Sequence, residues 1–433
     1  MEGLLMRTLG RVVKVRPDEV RVMLWAFVYF FCLLSSYYIL RPLRDESGVA
    51  AGVANLQWLF TGTFFVMLAA APLFGAVVTR VPRRRFIPWV YRFFIISILI
   101  FFALQHMGWG RAIVAGAFFM WVSVFNLFVV TVFWGFMADL FTSEQGKRLF
   151  GFIAAGGSAG ALVGPSLTAA LAVPLGPVNL LLISALLLEA AVQCVKQILH
   201  TPQAEKPASA HESVVRNPND EIIGGGILAG LTEVARSPYL MMICCHVLLL
   251  SLTSTFLYFQ QASIVSTAFD NPAERTRVFA LIDLSVGLIT IAIQLTVTGR
   301  VLVRLGIGAA LSSLAIVTAA GFLVLAMAPV LAVVIAFQSI KRATEFGFAN
   351  PARETLFTVV TREQKYKAKS VIDTAVFRGG DAVNGWIYAG LRGLGLDLSA
   401  IALVAVPISA AWAGLLLTLG RRQERLAQAQ PAE

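Results

Sequence analysis

VRVMLWAFVYFFCLLSSYYIL, residues 20–40, is an apolar run that gives way at once to RPLRDESG, residues 41–48. At ~1.5 Å per residue the run covers ~30 Å, the thickness of a bilayer's hydrocarbon. The run therefore reads as a membrane helix, expected to end near Arg41, where Pro42 disfavours helical geometry at the preceding residue. Four charged residues, Arg41, Arg44, Asp45 and Glu46, crowd its far end.

The same pattern recurs along the chain. Of the 433 residues, 58% are hydrophobic and 14% charged, against ~25% charged in a soluble domain. The apolar stretches are too long and continuous for barrel strands, so the expected fold is an all-α polytopic membrane bundle. We place about twelve spans near 20–41, 54–78, 86–106, 111–138, 149–172, 177–199, 238–266, 277–301, 308–327, 329–350, 366–390 and 398–419. The first span lacks a small-residue cleavage site and is read as retained. The only long polar stretch, HTPQAEKPASAHESVVRNPNDEII (200–223), is a linker. It divides the chain into a six-helix half over 1–199, a cytoplasmic linker over 200–237 and a second half over 238–433.

Lys and Arg collect in alternate loops, which places those loops and both termini in the cytoplasm. Much of the net charge of +11 is this topological signal, so no nucleic-acid role is expected. The four cysteines lie in apolar runs with no ligand spacing to any histidine, so no metal or cofactor is expected. There is no G-x-x-x-x-G-K-[ST] loop, and no nucleophile, metal or acid pair assembles, so the chain does not read as an enzyme.

The halves repeat each other. TSEQGKR (142–148) matches TREQKYK (361–367), and GAVVTRVPRRR (75–85) matches GRVLVRLGIG (299–308), each pair at corresponding loops. Two motifs in the same order indicate duplication.

On those residues the chain resembles the major facilitator superfamily. The family's loop G-x-x-x-D-R-x-G-R-R appears as Gly75, Thr79, Arg80, Pro82, Arg83 and Arg84, with Thr79 in the acidic place. The resemblance implies a secondary transporter in which two six-helix halves rock about a central site. Gly151, Gly160, Gly164 and Pro165 keep the spacing G-x8-G-x3-G-P and resemble the superfamily's antiporter motif, although small residues at such spacing also serve plain helix packing. More narrowly, Tyr38-Ile39-Leu40-Arg41 with Arg44-Asp45, and Lys367 and Lys369 with Ile372-Asp373, resemble the ATP/ADP translocases of plastids and intracellular bacteria and their free-living bacterial relatives. That likeness implies a nucleotide or other phosphorylated metabolite, and a bacterial inner membrane.

Ionisable residues within spans cost ~2.5–3.5 kcal/mol or more to insert, so each is a functional candidate. Arg41, Arg44 and Asp45 form an expected anion-binding or gating cluster. Arg92 would snorkel to the interface. Glu189, in the middle of the sixth span, is a candidate proton-titrating carboxylate, with a neighbouring Arg as the competing account. The tenth span, AFQSIKRATEFGFANPARE, carries Gln338, Lys341, Arg342, Glu345 and Asn350 and must line a cavity or a polar network. The eleventh carries Asp373, Arg378, Asp381 and Asn384, with Arg378 and Asp381 spaced to pair. Asp283 and His246 are single polar residues, the latter an interior hydrogen-bonding group. In the fourth span Asn126 faces substrate, while Phe125, Phe133 and Trp134 read as packing. Asp139, Glu144, Lys147 and Arg148 form cytoplasmic gate salt bridges, and Arg80 belongs with the gating residues.

We thus expect Arg41, Arg44, Lys341, Arg342, Glu345, Arg378 and Asn126 to contact substrate. Asp45, Glu189, Asp283, Asp373, Asp381, Asp139 and Arg80 are expected to gate or couple protons. Guanidinium groups favour a small anionic solute as partner, beside membrane lipid. The chain is expected to be a monomer. Two rivals stand: a proton-coupled antiporter exporting an unrelated small molecule, and a non-transporting scaffold or sensor.

Overall fold

The structure is a computed structural model, and it describes residues 16, 19–78, 83–201, 232, 234–361, 364, 368, 369 and 371–429. Among them there is helix and no strand. In chain order the helices are α1 (Val20–Ala50), α2 (Leu56–Val78), α3 (Arg83–His106), α4 (Arg111–Leu140), α5 (Ser143–Leu175), α6 (Leu180–Leu199) and α7 (Pro238–Ala268). They continue as α8 (Pro272–Thr296), α9 (Thr298–Met327), α10 (Leu331–Thr344), α11 (Asn350–Leu356), α12 (Phe377–Gly393) and α13 (Leu398–Gln428). A π turn, Glu345–Ala349, fuses α10 to α11, and a second, Ile372–Val376, leads into α12. Among the described residues ten helical segments are long and apolar enough to cross a membrane. α10, α11 and α12 fall outside that set: the π turns break these spans into helices of 14, 7 and 17 residues.

The expected end of the first helix is corrected. α1 does not stop near Arg41 but runs through Pro42 to Ala50, and Gly52 then turns the chain at φ 100°. A helical proline removes one backbone hydrogen bond, a cost this helix bears because its far end is held by side chains. Asp45, Glu46 and Ser47 are all buried there. α9 is likewise two pieces, broken at Gly306 with φ 78°.

The described residues form two compact units. One takes those up to Ala51, from Val66 to 201 and from Asn271 to Leu284; the other takes Gly52–Phe65, the described residues from 232 to Asp270 and those from Ser285 onward.

In the first unit α1 is the central helix. Bilayer helices gain no hydrophobic driving force from meeting each other, so close packing and hydrogen bonds hold them. α5 supplies the close packing. A Cβ on Gly156 would lie 2.4 Å from the Phe27 carbonyl oxygen, one on Gly160 2.5 Å from that of Phe31, and one on Gly164 2.7 Å from the Tyr38 Cβ. Small residues there let two backbones touch. Ser36 and Ser184, 2.8 Å apart, join α1 to α6, and the Tyr29 and Tyr91 hydroxyls join α1 to α3. Phe133 stacks on Phe30 at 4.0 Å, and Phe125 packs on Phe94 and Trp121, so the aromatics of α4 are core.

The second unit is built on α7, α9 and α13. Trp412, completely buried, donates its indole N–H to His246 Nδ1 at 3.0 Å, the interior hydrogen bond expected of that histidine. The Tyr239 hydroxyl donates to the Leu356 carbonyl at 2.8 Å and ties the end of α11 to α7.

The repeated loops also repeat locally. Thr142 Oγ1 accepts from the Gln145 backbone N–H at 3.4 Å, and Thr361 Oγ1 accepts from that of Gln364 at 3.3 Å. The first is a capping contact that satisfies an otherwise open donor at the start of α5.

Glu19, immediately before α1, shows what the first of these loops is for. Its carboxylate, fully buried, takes Arg148 at 2.9 and 3.2 Å, Gln145 at 3.0 Å and the Arg16 backbone N–H at 3.0 Å. Burial alone would push this carboxyl up, but the Arg148 bond and the other donors outweigh it and hold it below its ordinary 4.5. A carboxyl lowered in the fold stabilises above its unfolded pKa and loses that contribution as pH falls through the folded value. The advantage of the natural chain over Glu19→Gln should therefore be full above pH 4.5 and shrink on further acidification. Unfolding of both proteins followed from pH 7 down to ~pH 3 checks this; a constant difference throughout would refute it.

Candidate functional site

The tenth and eleventh spans meet at a cavity of about 630 Å³ inside the second unit. Its wall takes Leu250 from α7, Glu345 and Phe346 from the first π turn, Asn350, Arg353 and Glu354 from α11, Asp373 from the second π turn, and Phe377 and Arg378 from α12. π turns insert one residue per turn and re-aim the side chains around them. Here each of the two aims a carboxylate, Glu345 and Asp373, at the same space. The first is seated by Gly347, where a Cβ would come within 2.6 Å of Ile293 on α8.

Most cations of this region are already matched. Arg353 meets Asp373 at 2.7 Å, and Lys369 meets Glu354 at 2.5 Å. Lys341 is 1% exposed; it donates to Ser254 Oγ at 2.7 Å and lies 3.9 Å from Glu345. Arg378 and Asp381 pair as their spacing suggests, at 3.5 Å. Asp381 also accepts from Ser251 at 2.7 Å, and Ser251 in turn accepts from Asn384 at 3.1 Å. Of the two arginines that line the cavity, Arg378 is the looser: its side chain is 34% exposed against 17% for Arg353, and its acid is farther away. Arg342 is half-buried on α10 and does not line the cavity.

The charges of RPLRDESG are locked within the first unit. Arg41 Nε lies 3.6 Å from Asp283 on α8, so Asp283 is not a single polar residue. Arg44 lies 3.4 Å from Asp45 and 4.0 Å above the Phe119 ring. Glu46, which the sequence reading quotes but assigns no role, takes Arg275 of α8 at 2.7 Å, with both side chains nearly buried.

The remaining candidates fall elsewhere. Glu189 is not a buried mid-membrane carboxyl: it is 38% exposed and lies 3.9 Å from Arg92, so the competing account, a neighbouring Arg, is the observed one and Arg92 is paired. Gln193 also donates to it. Asn126 is partly buried on α4, and Asp139 is exposed at that helix's end. Arg148 pairs with Glu19 and Glu144, and Arg16 with Glu144, all within one unit. Arg80 and Lys367 lie outside the described residues.

Arg353, Glu354 and Ser251 of the cavity network, and Glu46, Arg275 and Glu19 elsewhere, were not singled out from sequence. A usable signal exists for the first two. Asn350-Pro351-Ala-Arg-Glu looks like a helix end, yet proline suits a helix's first turn. There it begins α11 and carries Arg353 and Glu354 onward.

Among the described residues no cluster of three or more His, Cys, Asp or Glu could hold a metal, and the four cysteines are free thiols. The site offers matched charges of both signs around a cavity of about 630 Å³. A bundle with ten helices long and apolar enough to cross a membrane among its described residues is a multi-pass membrane protein.

The comparisons place it more narrowly. The Major Facilitator Superfamily profile matches residues 22–380, and the chain belongs to that superfamily. Its fold is similar to that of the nucleoside transporter NupG (TM-score 0.59, 14% identity, covering 96% of this chain and 100% of that one). It is similar also to a bacterial homologue of the human lysosomal transporter Spinster (0.60, 11%, 96% and 100%) and to an auto-inhibited POT-family peptide transporter (0.60, 14%, 95% and 98%). No curated protein matches the chain. Family membership makes this a transporter and not an enzyme.

Proposed function

We propose that the chain is a secondary active transporter of a small organic anion, working by alternating access and by exchange. The carrying observation is Arg378: it opens on the charged cavity, one-third exposed, and its carboxylate lies 3.5 Å away. A solute carboxylate or phosphate displaces Asp381 from this guanidinium and leaves Asp381 to its Ser251 hydrogen bond. The likeness of Arg41, Arg44 and Asp45, and of Lys369 and Asp373, to the ATP/ADP translocases makes nucleotides the first solutes to test. The spacing of Gly160, Gly164 and Pro165 favours antiport, and the loop charges favour a bacterial inner membrane with both termini cytoplasmic. The sequence halves, 1–199 and 238–433, are the moving bodies of this reading.

A second reading has its own observation. Three carboxylates, Glu345, Glu354 and Asp373, line the cavity beside two arginines, a balance suited to a proton-coupled exporter.

Uptake by proteoliposomes separates the two. With a panel of nucleotides, other phosphates and carboxylates, an exchanger shows flux only against a trapped counter-anion, whereas the exporter responds to a pH gradient alone. Arg378→Gln should weaken anion transport roughly 10- to 100-fold, the loss of a charge-assisted bond worth ~1.5–3 kcal/mol. Unchanged anion affinity in that variant would remove Arg378 from the site.

A further inference from the structure

A second cavity, of about 500 Å³, lies in the same unit at the end of α12 beside the Leu398 end of α13. Its wall combines the rings of Phe259 and Tyr388, edge to face at 5.1 Å, with Gln57, Ser263 and Arg392. Three features distinguish it from the first cavity.

Arg392 is exposed, and among the described residues no carboxylate pairs with it. Its Nη1 donates to the Leu396 carbonyl at 3.1 Å, which leaves most of its donor fork unused. Tyr388 is 94% buried by its 6% exposure, and its hydroxyl has no hydrogen-bond partner among the described residues. A buried hydroxyl without a partner is costly, and this one has almost no accessible surface, so a ligand reaches it only if the cavity wall parts.

The third feature is register. Arg378, Asp381, Gly385, Tyr388 and Arg392 follow one another at steps of 3, 4, 3 and 4, which puts them on a single face of α12. Arg378 opens on the first cavity and Arg392 on the second, ~21 Å apart along the helix. Between them Gly385 is pressed by Gln57 and Phe259, each 3.3 Å from where its Cβ would be. The stripe is thus two wider places separated by a tight one.

We infer that the second cavity is a separate binding station for small amphipathic organic anions: Arg392 takes the carboxylate or phosphate, and Phe259 and Tyr388 take a flat apolar body. This rests on the anion reading above, and it adds a site at which the solute is held before or after the Arg378 station. Guanidinium favours such oxyanions because its fork matches their geometry. The volume is that of a ligand pocket. A phospholipid headgroup carries the same phosphate, but the paired rings favour a solute with its own ring.

The test is equilibrium binding of radiolabelled benzoate to the purified full-length protein in detergent. Arg378→Gln is the background, so that only the second station reports. Binding should persist there, and adding Arg392→Gln should weaken it by about tenfold or more, while Arg392→Lys, which keeps the charge, stays within about threefold of the background. Neutral benzyl alcohol should not compete. No benzoate binding in the background, or binding indifferent to Arg392→Gln, overturns the proposal. Binding of dihexanoyl phosphatidylglycerol in place of benzoate assigns the pocket to a lipid headgroup and overturns it too. Because this assay reads no flux, a chain that transports no anion but binds benzoate through Arg392 would refute the transport reading and leave the station standing.

Discussion

Glu46→Gln is expected to destabilise the protein by about 3–5 kcal/mol, the range for removing one partner of a buried ion pair. Glu46 and Arg275 meet at 2.7 Å with 11% and 12% of their side chains exposed. Removing the carboxylate's charge takes the 2.7 Å acid from a guanidinium whose side chain is only 12% exposed. The pair also fastens the first turns of α8 to the far end of α1, within one compact unit and next to the Arg41–Asp283 contact. Replacing both partners together, Glu46→Gln with Arg275→Met, should recover part of the loss, since it leaves no buried guanidinium facing a neutral amide. Titration of unfolding in mixed detergent micelles measures all three variants. A single variant as stable as the natural chain, or a double variant as weak as the single, would show that the pair is not what holds this end of α1.

The second large effect is steric. Gly160→Ala places a methyl 2.5 Å from the Phe31 carbonyl oxygen and 2.9 Å from the Ser35 nitrogen. Both obstacles are backbone, so neither can rotate away, and α1 must move off α5. Overpacking of this kind costs about 1–3 kcal/mol, and the Gly156→Ala/Gly160→Ala pair should lose at least about 3 kcal/mol, enough to suppress folded yield. Gly151 is the internal control. It belongs to the same G-x8-G-x3-G-P spacing, yet nothing lies within 4 Å of where its Cβ would be. Gly151→Ala should be neutral or mildly stabilising, by up to ~1 kcal/mol from helix propensity. If all three positions respond alike in thermal unfolding, the spacing acts through something other than the α1–α5 contact.

That contrast shows where sequence reading succeeds and where it stops. The glycine spacing was legible, but Gly156 and Gly157, which make the closest approaches along with Gly160, lie between the spaced positions. A spacing rule carries no knowledge of which face meets a neighbour. The polar tenth and eleventh spans were legible because charges in a membrane helix need a polar surrounding, and both do border the charged cavity. Their π turns were not, since these spans are too polar for the phase shift that an inserted residue causes to show in their hydrophobic pattern. For Glu189 the sequence left two accounts open, burial or a neighbouring Arg, and the fold shows Arg92 beside it. Mid-helix position along the sequence says how deep a residue lies in the bilayer, not whether it faces inward.

The sequence by itself determined that this chain crosses a membrane many times as helices and that its work is passage of a solute. Those properties follow from hydrocarbon's refusal of unpaired backbone and from local patterns that each segment carries alone. Tertiary structure decided the partners: Arg41 with Asp283, Glu46 with Arg275, Arg353 with Asp373, and Glu19 with Arg148. It also carried α1 past Pro42 to Ala50. An ion pair depends on where two helices lie in space, and residues far apart along the chain hold that information jointly, so neither segment reveals it alone.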